Sequence, residues 1–367
     1  MKITDYAAAH LREGRPTDTT PLRILVTGAG GGVGRSILRC LDMAGYTCLG
    51  ADCDLYSPSF YDLLGDYRSH YRVVPKASDR YYTQYLDLAA QQMGADLIIP
   101  GSDWELARIA KDAEKLRDEE RYSVMISASE LIGITRDKLA TVYWLRDYGY
   151  DFPRTQPVQH AAEEAVDPLP EGACLVKPRF GSGSRGITFF NEPGEARARI
   201  RVQDEPLVVQ EALEGDEYTT TLVCTGEEEN RVLRSVTLWR EPKYGPGHEF
   251  VRREVREDHP TYTADEWGGR KALIHQIAEQ LGIIGPCNIQ WRDVPNRGPV
   301  VFEINARFPG STVLCALAGV NLPDIAVQYF LFGHAPSMEP AQPLTFLRTL
   351  GEVAVPTTSI IPKPLCK

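Results

Sequence analysis

The 367-residue chain has no apolar run approaching the roughly 18 residues that a membrane-spanning helix needs. Its first residues, MKITDYAAAHLREGRPTDTT, lack an apolar signal core. Basic tracts are missing too, and the formal net charge is −10, which argues against a nucleic-acid partner. The eight cysteines, at 40, 48, 53, 174, 224, 287, 315 and 366, show no CxxC spacing, and the seven histidines include no HxxxH pair. A disulfide framework and a zinc site are therefore not expected. Several cysteines fall inside apolar strand-like runs, as buried free thiols of a reducing cytosol do. The reading is a cytoplasmic protein with no membrane and no nucleic-acid partner. Hydrophobic residues at 43% and charged residues at 25% are those of a globular protein with room for two or three subdomains.

What is present falls into two textures. From 21 to about 125, strand-like and helix-like segments alternate. Arg23–Thr27, Cys48–Asp52, Tyr71–Pro75, Leu97–Pro100 and Ser123–Ile126 read as apolar strands, with helices such as Tyr82–Met93 and Trp104–Leu116 between them. That alternation implies a parallel, doubly wound α/β layer. Residues 137–149 form an amphipathic helix that ends at Gly149, and Phe152-Pro153 bars its continuation. Then the pattern turns to α+β with mainly antiparallel pairing. Its strands are Leu175–Pro178, Gly186–Phe190, Leu207–Ala212, Tyr218–Val223 and Val232–Trp239, and a helix is expected at Lys271–Leu281. Residues 1–20 read as a polar arm, and 336–367 as a proline-rich tail lying extended along the surface.

The most informative stretch is Val301-Phe302-Glu303-Ile304-Asn305-Ala306-Arg307-Phe308. On a strand, period-2 alternation places Glu303, Asn305 and Arg307 on one face together with Val301, and Phe302, Ile304, Ala306 and Phe308 on the other. A carboxylate, a carboxamide and a guanidinium in a row suit a magnesium ion that carries phosphate. The plainer reading is the polar face of a half-buried strand. Upstream, Cys287–Trp291 is strand-like, and Asp293–Gly298 (DVPNRG) reads as a turn, so the two runs make an antiparallel hairpin. Gln290 then lies beside Glu303 and supplies a third oxygen.

A second motif is Val176-Lys177-Pro178-Arg179-Phe180-Gly181-Ser182-Gly183-Ser184-Arg185-Gly186. Glycines let backbone N–H groups approach phosphate oxygens, and Lys177 adds a point charge. No GKS or GKT follows, so it is not a P-loop, and a flexible hairpin tip is the plain alternative.

With Asn288, Gln290, Glu303, Asn305 and Arg307 in the order NxQ…FxEINxR, and the lysine strand and glycine loop about 125 residues upstream, the chain resembles the ATP-grasp superfamily. The likeness is to its carbamoyl-phosphate-synthetase-like and amino-acid ligase branches, and it runs over about 23–335. It implies a Rossmann-like pre-ATP-grasp domain at 21–126 and an ATP-grasp domain at 127–335, with a mobile lid at about 150–213. It further implies that ATP binds to Lys138, Lys177, Gly181, Ser182, Gly183, Ser184 and Gly186. The hinge strand at Gln210, Glu211 and Leu213 would meet the adenine, and Glu217 the ribose hydroxyls. Gln290, Glu303 and Asn305 would hold magnesium, with two ions sharing Glu303 and manganese as a substitute. Family members carry Glu or Gln at the position of Gln290, and Gln makes that corner less negative. The implied activity is ligation of a small carboxylate to an amine through an acylphosphate, with Arg307 as the catalytic cation. A homodimer is an open alternative, as is phosphorylation of bicarbonate or a carboxylate, or non-catalytic ATP binding.

Thr27-Gly28-Ala29-Gly30-Gly31-Gly32-Val33-Gly34 is a rival site, since a glycine-rich turn between strand and helix suits a dinucleotide, with Asp52 on a ribose. The short-chain dehydrogenases with such a turn need YxxxK, and none of the 17 tyrosines has Lys four residues on. For the substrate, Ser102 and Asp103 sit where α/β clefts form. Arg240, Lys243 and His248 come from a basic excursion that could cover a carboxylate or simply be solvated.

Overall fold

The computed structural model describes residues 21–62, 70–117, 122–158, 172–181, 186–192, 195, 206–226, 231–241 and 252–347. The N-terminal arm, the tail beyond 347, and Ser182, Gly183, Ser184, Lys243 and His248 lie outside the described residues.

Five short parallel strands open the chain: β1 (Arg23–Thr27), β2 (Thr47–Asp52), β3 (Tyr71–Val73), β4 (Leu97–Ile99) and β5 (Ser123–Val124). Their order is β3-β2-β1-β4-β5. Helices α1 (Gly32–Met43), α2 (Ser59–Asp62), α3 (Tyr82–Met93) and α4 (Asp103–Arg117) connect them. The sequence order reverses between β1 and β4, which opens a crevice at their carboxyl ends. Glycine is required there by close approach. A Cβ on Gly101 would stand 2.3 Å from the Thr27 carbonyl oxygen, and one on Gly34 would stand 2.3 Å from that of Gly28. The Gly28–Gly34 turn thus lets α1 pack tightly against two strand ends.

Two antiparallel sheets follow. Helices α5 (Ser129–Arg136) and α6 (Lys138–Asp147) lead to β6 (Thr155–Pro157), β7 (Cys174–Pro178), β8 (Thr188–Phe190) and β9 (Leu207–Glu211), in the order β6-β9-β7-β8. This small sheet has its own core of Cys174, Val176, Phe190, Leu207 and Val209. The larger sheet runs β14-β13-β10-β11-β12-β15. Its strands are β10 (Asp216–Thr225), β11 (Val232–Arg240), β12 (Arg252–Val255), β13 (Ile284–Val294), β14 (Gly298–Asn305) and β15 (Thr345–Leu347). On one face α7 (Ala264–Leu281) buries Trp267, Ile274 and Ile277 with Tyr218, Leu222, Ile289 and Trp291. Elsewhere α9 (Leu322–Phe332), reached through α8 (Thr312–Leu317), packs Phe330 with Val223, Val236 and Leu238, in a cluster that also contains Ile24 and Ile37.

Two expectations need correction. The helix expected from Lys271 begins at Ala264, because Thr263 and Glu266 form a reciprocal capping box that outweighs the glycine pair at 268 and 269. Thr345–Leu347, expected as surface tail, forms the edge strand β15 by pairing with Arg252–Glu254. No helix among the described residues is long and apolar enough to cross a membrane.

Beneath the glycine turn, Glu105 is buried and accepts a hydrogen bond from Thr27 Oγ1 at 2.7 Å. Burial pushes its carboxyl up to about 7, against the opposing pull of the Thr27 hydroxyl. The folded pKa lies above the unfolded one, so stability falls as pH rises from about 4.5 through about 7. Glu105→Gln removes that cost. Urea unfolding should find it more stable than wild type at pH 8 by on the order of 3 kcal/mol, and the gap should narrow by pH 5. A variant less stable at pH 8 would contradict this account.

Candidate active site

The hairpin β13–β14 sets the geometry. Asn296 and Gly298 adopt left-handed φ of 63° and 82°, which suits Asn and Gly at a tight turn. The ladder pairs Asn288 with Asn305 and Gln290 with Glu303, then slips so that Trp291 pairs with Val301. Phe302 is the extra residue of a β-bulge. The slip overturns simple alternation: Val301 joins Ile304 in the core instead of sharing the face of Glu303. Phe302 is only partly buried, and its ring centre lies 6.0 Å from Lys177 Nζ.

Glu303 accepts a hydrogen bond from Asn305 Nδ2 at 3.0 Å, and Asn288 Oδ1 accepts one from Thr219 Oγ1 at 2.6 Å. Arg307 donates from Nε to Asp103 Oδ1 at 2.7 Å, from Nη2 to Asp103 Oδ2, and from Nη1 to the Phe308 carbonyl at 3.0 Å. Burial works against its charge, but the Asp103 carboxylate more than offsets this and moves its pKa upward. Of the two residues expected at the sheet edge, Asp103 reaches the cleft. Ser102 packs under the glycine turn, where a Cβ on Gly28 would stand 2.8 Å from its own.

Across the cleft, Lys177 on β7 is only 3% exposed. Burial and the neighbouring Lys138 lower its pKa to about 7, against the attraction of Glu303 and Glu217. Lys138 Nζ donates to the Gly181 carbonyl at 2.7 Å. Asp137 caps α6 through the Leu139 N–H at 3.0 Å and holds Arg179 by two contacts of 2.8 Å. The base of the glycine-rich segment is thereby fastened to α6. Gly181 and Gly186 have φ of 119° and 72°, which side chains adopt rarely. Asp103, Trp104, Thr135, Arg136, Lys138, Gly181, Glu303 and Asn305 line an open cleft.

The hinge strand is engaged differently at each position. Gln210 turns into the small sheet and donates from Nε2 to Thr155 Oγ1 at 2.9 Å. Glu211 accepts from Arg297 Nη1 at 2.7 Å, and the Leu213 carbonyl accepts from Arg292 Nη1 at 2.9 Å. Glu217 is buried between two arginines, Arg292 at 2.7 Å and Arg240. Arg240, expected over a substrate, is the cross-strand partner of Glu217 and is held by it. Sequence reasoning missed Arg292, although Asn288, Gln290 and Arg292 alternate on one face. It also missed Phe302, Trp104, Arg136 and the Asp137–Arg179 clamp.

The comparisons with known proteins bear on the fold. Residues 203–348 match the family described as "ATP-grasp in the biosynthetic pathway with Ter operon". That match covers less than half of the chain and includes the hairpin of Gln290, Glu303 and Asn305. The L-amino acid ligase from Bacillus licheniformis superposes with a TM-score of 0.63 at 18% identity, over 86% of this chain and 75% of that one. N5-carboxyaminoimidazole ribonucleotide synthetase from Thermus thermophilus gives 0.67 at 16% identity, over 90% and 84%. The carboxyaminoimidazole ribonucleotide synthase from Aspergillus clavatus, complexed with ATP, gives 0.66 at 15%, over 89% and 81%. At these identities the ATP-grasp likeness is one of fold. By sequence alone, no curated protein matches the chain.

If the phosphates of a bound nucleotide meet Lys177, they favour its charged form, and binding should then take up a proton once the pH exceeds about 7. Calorimetry with Mg-ADP should show affinity falling by up to about tenfold per pH unit between pH 7.5 and 8.5. Lys177→Arg, charged throughout, should flatten the profile, and an equally steep profile in that variant would rule out Lys177 as the titrating group.

Proposed function

We propose that this ATP-grasp chain is an ATP- and magnesium-dependent carboxylate–amine ligase that works through an acylphosphate. One observation carries the reading: Gln290, Glu303 and Asn305 share a polar strip in register, with Arg307 just beyond it and Lys177 and Lys138 opposite. The donor set fits magnesium, because one carboxylate and two amide oxygens suit a hard cation that keeps phosphate oxygens as its other ligands. Among the described residues no group of three His, Cys, Asp or Glu side chains gathers elsewhere to hold a metal. When bound, the ion would neutralise phosphate charge as it builds.

In this reading Lys177, Lys138 and the glycine-rich segment hold the triphosphate between the small sheet and the hairpin. Residues 21–126 form the far wall, 127–335 the ATP-grasp unit, and about 150–213 the lid. A carboxylate oxygen of the acid attacks the γ-phosphorus, and the bond to the β–γ bridging oxygen breaks to release ADP. The amine nitrogen then attacks the acyl carbon, the C–O bond to phosphate breaks, and the amine proton passes to solvent. Phosphoryl transfer depends on positioning and charge neutralisation more than on a protein nucleophile. Arg307, kept charged by Asp103, faces the transferring group, a contact whose loss costs on the order of 3 kcal/mol in the barrier. Closure of the lid would shield the acylphosphate from water.

A dinucleotide at Gly28–Gly34 is less well supported. Asp52, the residue a ribose would require, already accepts the N–H groups of Gly30 at 2.8 Å and Asp54 at 3.0 Å.

The reading is tested by ADP release from Mg-ATP with pooled amino acids and small carboxylic acids, with product mass followed in parallel. Glu303→Ala should lower turnover by at least about a hundredfold while circular dichroism and melting remain those of wild type. Near-normal turnover in a folded Glu303→Ala protein would sink the assignment.

A further inference from the structure

The cleft has a wall that neither the nucleotide nor the metal strip accounts for. Trp104, in the first turn of α4, is 60% exposed and still lines the cleft beside Asp103. A large indole standing open in a cleft, instead of being buried like Trp267 and Trp291, offers a planar apolar surface to a ligand. Next to it, Thr135 and Arg136 come from the last turn of α5. Among the described residues, Arg136 forms no ion pair, whereas Arg307, Arg179 and Arg292 are each matched to a carboxylate.

We infer that Trp104 and Arg136 form the acid subsite, and that the substrate is an aromatic or similarly planar carboxylic acid. Its ring lies on the indole of Trp104, and Arg136 steers its carboxylate toward Glu303, Asn305 and Arg307. The inference rests on the ligase reading above and names the substrate class for it. Charge decides between this and the other use of an exposed indole, which is to hold an ammonium group. Arg136 and Lys138 stand on the same wall, and the nearby carboxylate of Asp103 is already neutralised by Arg307. With Lys138 engaged by phosphate and Glu303 by the metal in the ligase reading, Arg136 is the unmatched charge left on this wall among the described residues. A carboxylate meets complementary charge there and an ammonium group does not.

The full-length protein is tested with Mg-ATP and hydroxylamine as a general amine. Hydroxylamine attacks an acylphosphate at its acyl carbon, expels phosphate and leaves a hydroxamate that can be measured. The acids are phenylalanine, tyrosine, tryptophan, benzoate and cinnamate, set against alanine, glutamate and acetate. Aromatic acids should drive both ADP release and hydroxamate formation. Trp104→Ala should raise KM for them roughly tenfold with a much smaller change in kcat, and Trp104→Phe should restore most of the loss. Arg136→Ala should raise KM for every acid that turns over. Turnover confined to the aliphatic acids, or a KM for aromatic acids unmoved in Trp104→Ala, would overturn the subsite. Mg-ATP binding by calorimetry without turnover of any acid would also overturn it and leave the nucleotide site standing. Absence of Mg-ATP binding would instead remove the ligase reading beneath it.

Discussion

The pair between half-buried Asp103 and buried Arg307 is the charged link between two sheets that also share hydrophobic clusters. Asp103 opens α4 at the carboxyl edge of the parallel sheet, and Arg307 follows β14 at the edge of the antiparallel one. Desolvating both charges is expensive, and only a fork-to-fork geometry with further hydrogen bonds offsets it. That geometry fixes where the two sheets meet. The seam continues nearby, where Ser36 Oγ accepts the Val313 N–H at 2.8 Å and a Cβ on Gly310 would stand 3.5 Å from the Gly32 carbonyl. Because of this seam, a cleft lined by α4, α5 and β14 exists at all.

The bulge at Phe302 does a comparable job within one strand. A regular β14 would carry Val301 and Glu303 on the same face. With one residue inserted, Val301 and Ile304 both reach the core under α7, while Glu303 and Asn305 stay on the polar side. Bulges bend and twist the strand that carries them, so the polar strip is re-aimed as well as interrupted. Arg297, at the tip of the same hairpin, ties it to the hinge through Glu211 and to Asp151. The orientation of the strip and the position of the hinge are therefore coupled through one short turn.

Much of this was legible from residue patterns. The parallel strands read as short apolar runs, and Tyr82–Met93 has the bounds its periodicity predicts. Gln290 does fall beside Glu303 as expected, but only through the bulge, since the register set at the turn would pair it with Phe302. The bulge was not legible, since it depends on how two strands share a core and leaves no mark in composition. The start of α7 was hidden by Gly268 and Gly269, although Thr263 and Glu266 were there to be read as a capping box. Trp104, Arg136 and Asn305 come from three elements and converge only through tertiary packing, which no local pattern encodes.

The charges around the cleft separate by residue type. Arg307 is matched by Asp103, Arg179 by Asp137, and Arg292 and Arg240 by Glu217, so these guanidinium groups are held in fixed orientations, Arg307 at the edge of the cleft among them. The planar fork of arginine suits that task, because bidentate pairing with a carboxylate defines an orientation. Lys177 and Lys138 are treated otherwise: among the described residues neither forms an ion pair, and Lys138 donates only to a carbonyl. The depressed pKa of Lys177 is the energetic trace of two cations held close in a place that water barely reaches. Such an arrangement brings no gain in stability, and in the proposed reading it serves binding. A ligand with several mobile negative oxygens restores the charge of Lys177 and removes the repulsion in one event. A polyphosphate satisfies that condition, whereas a neutral ligand leaves the two cations in conflict.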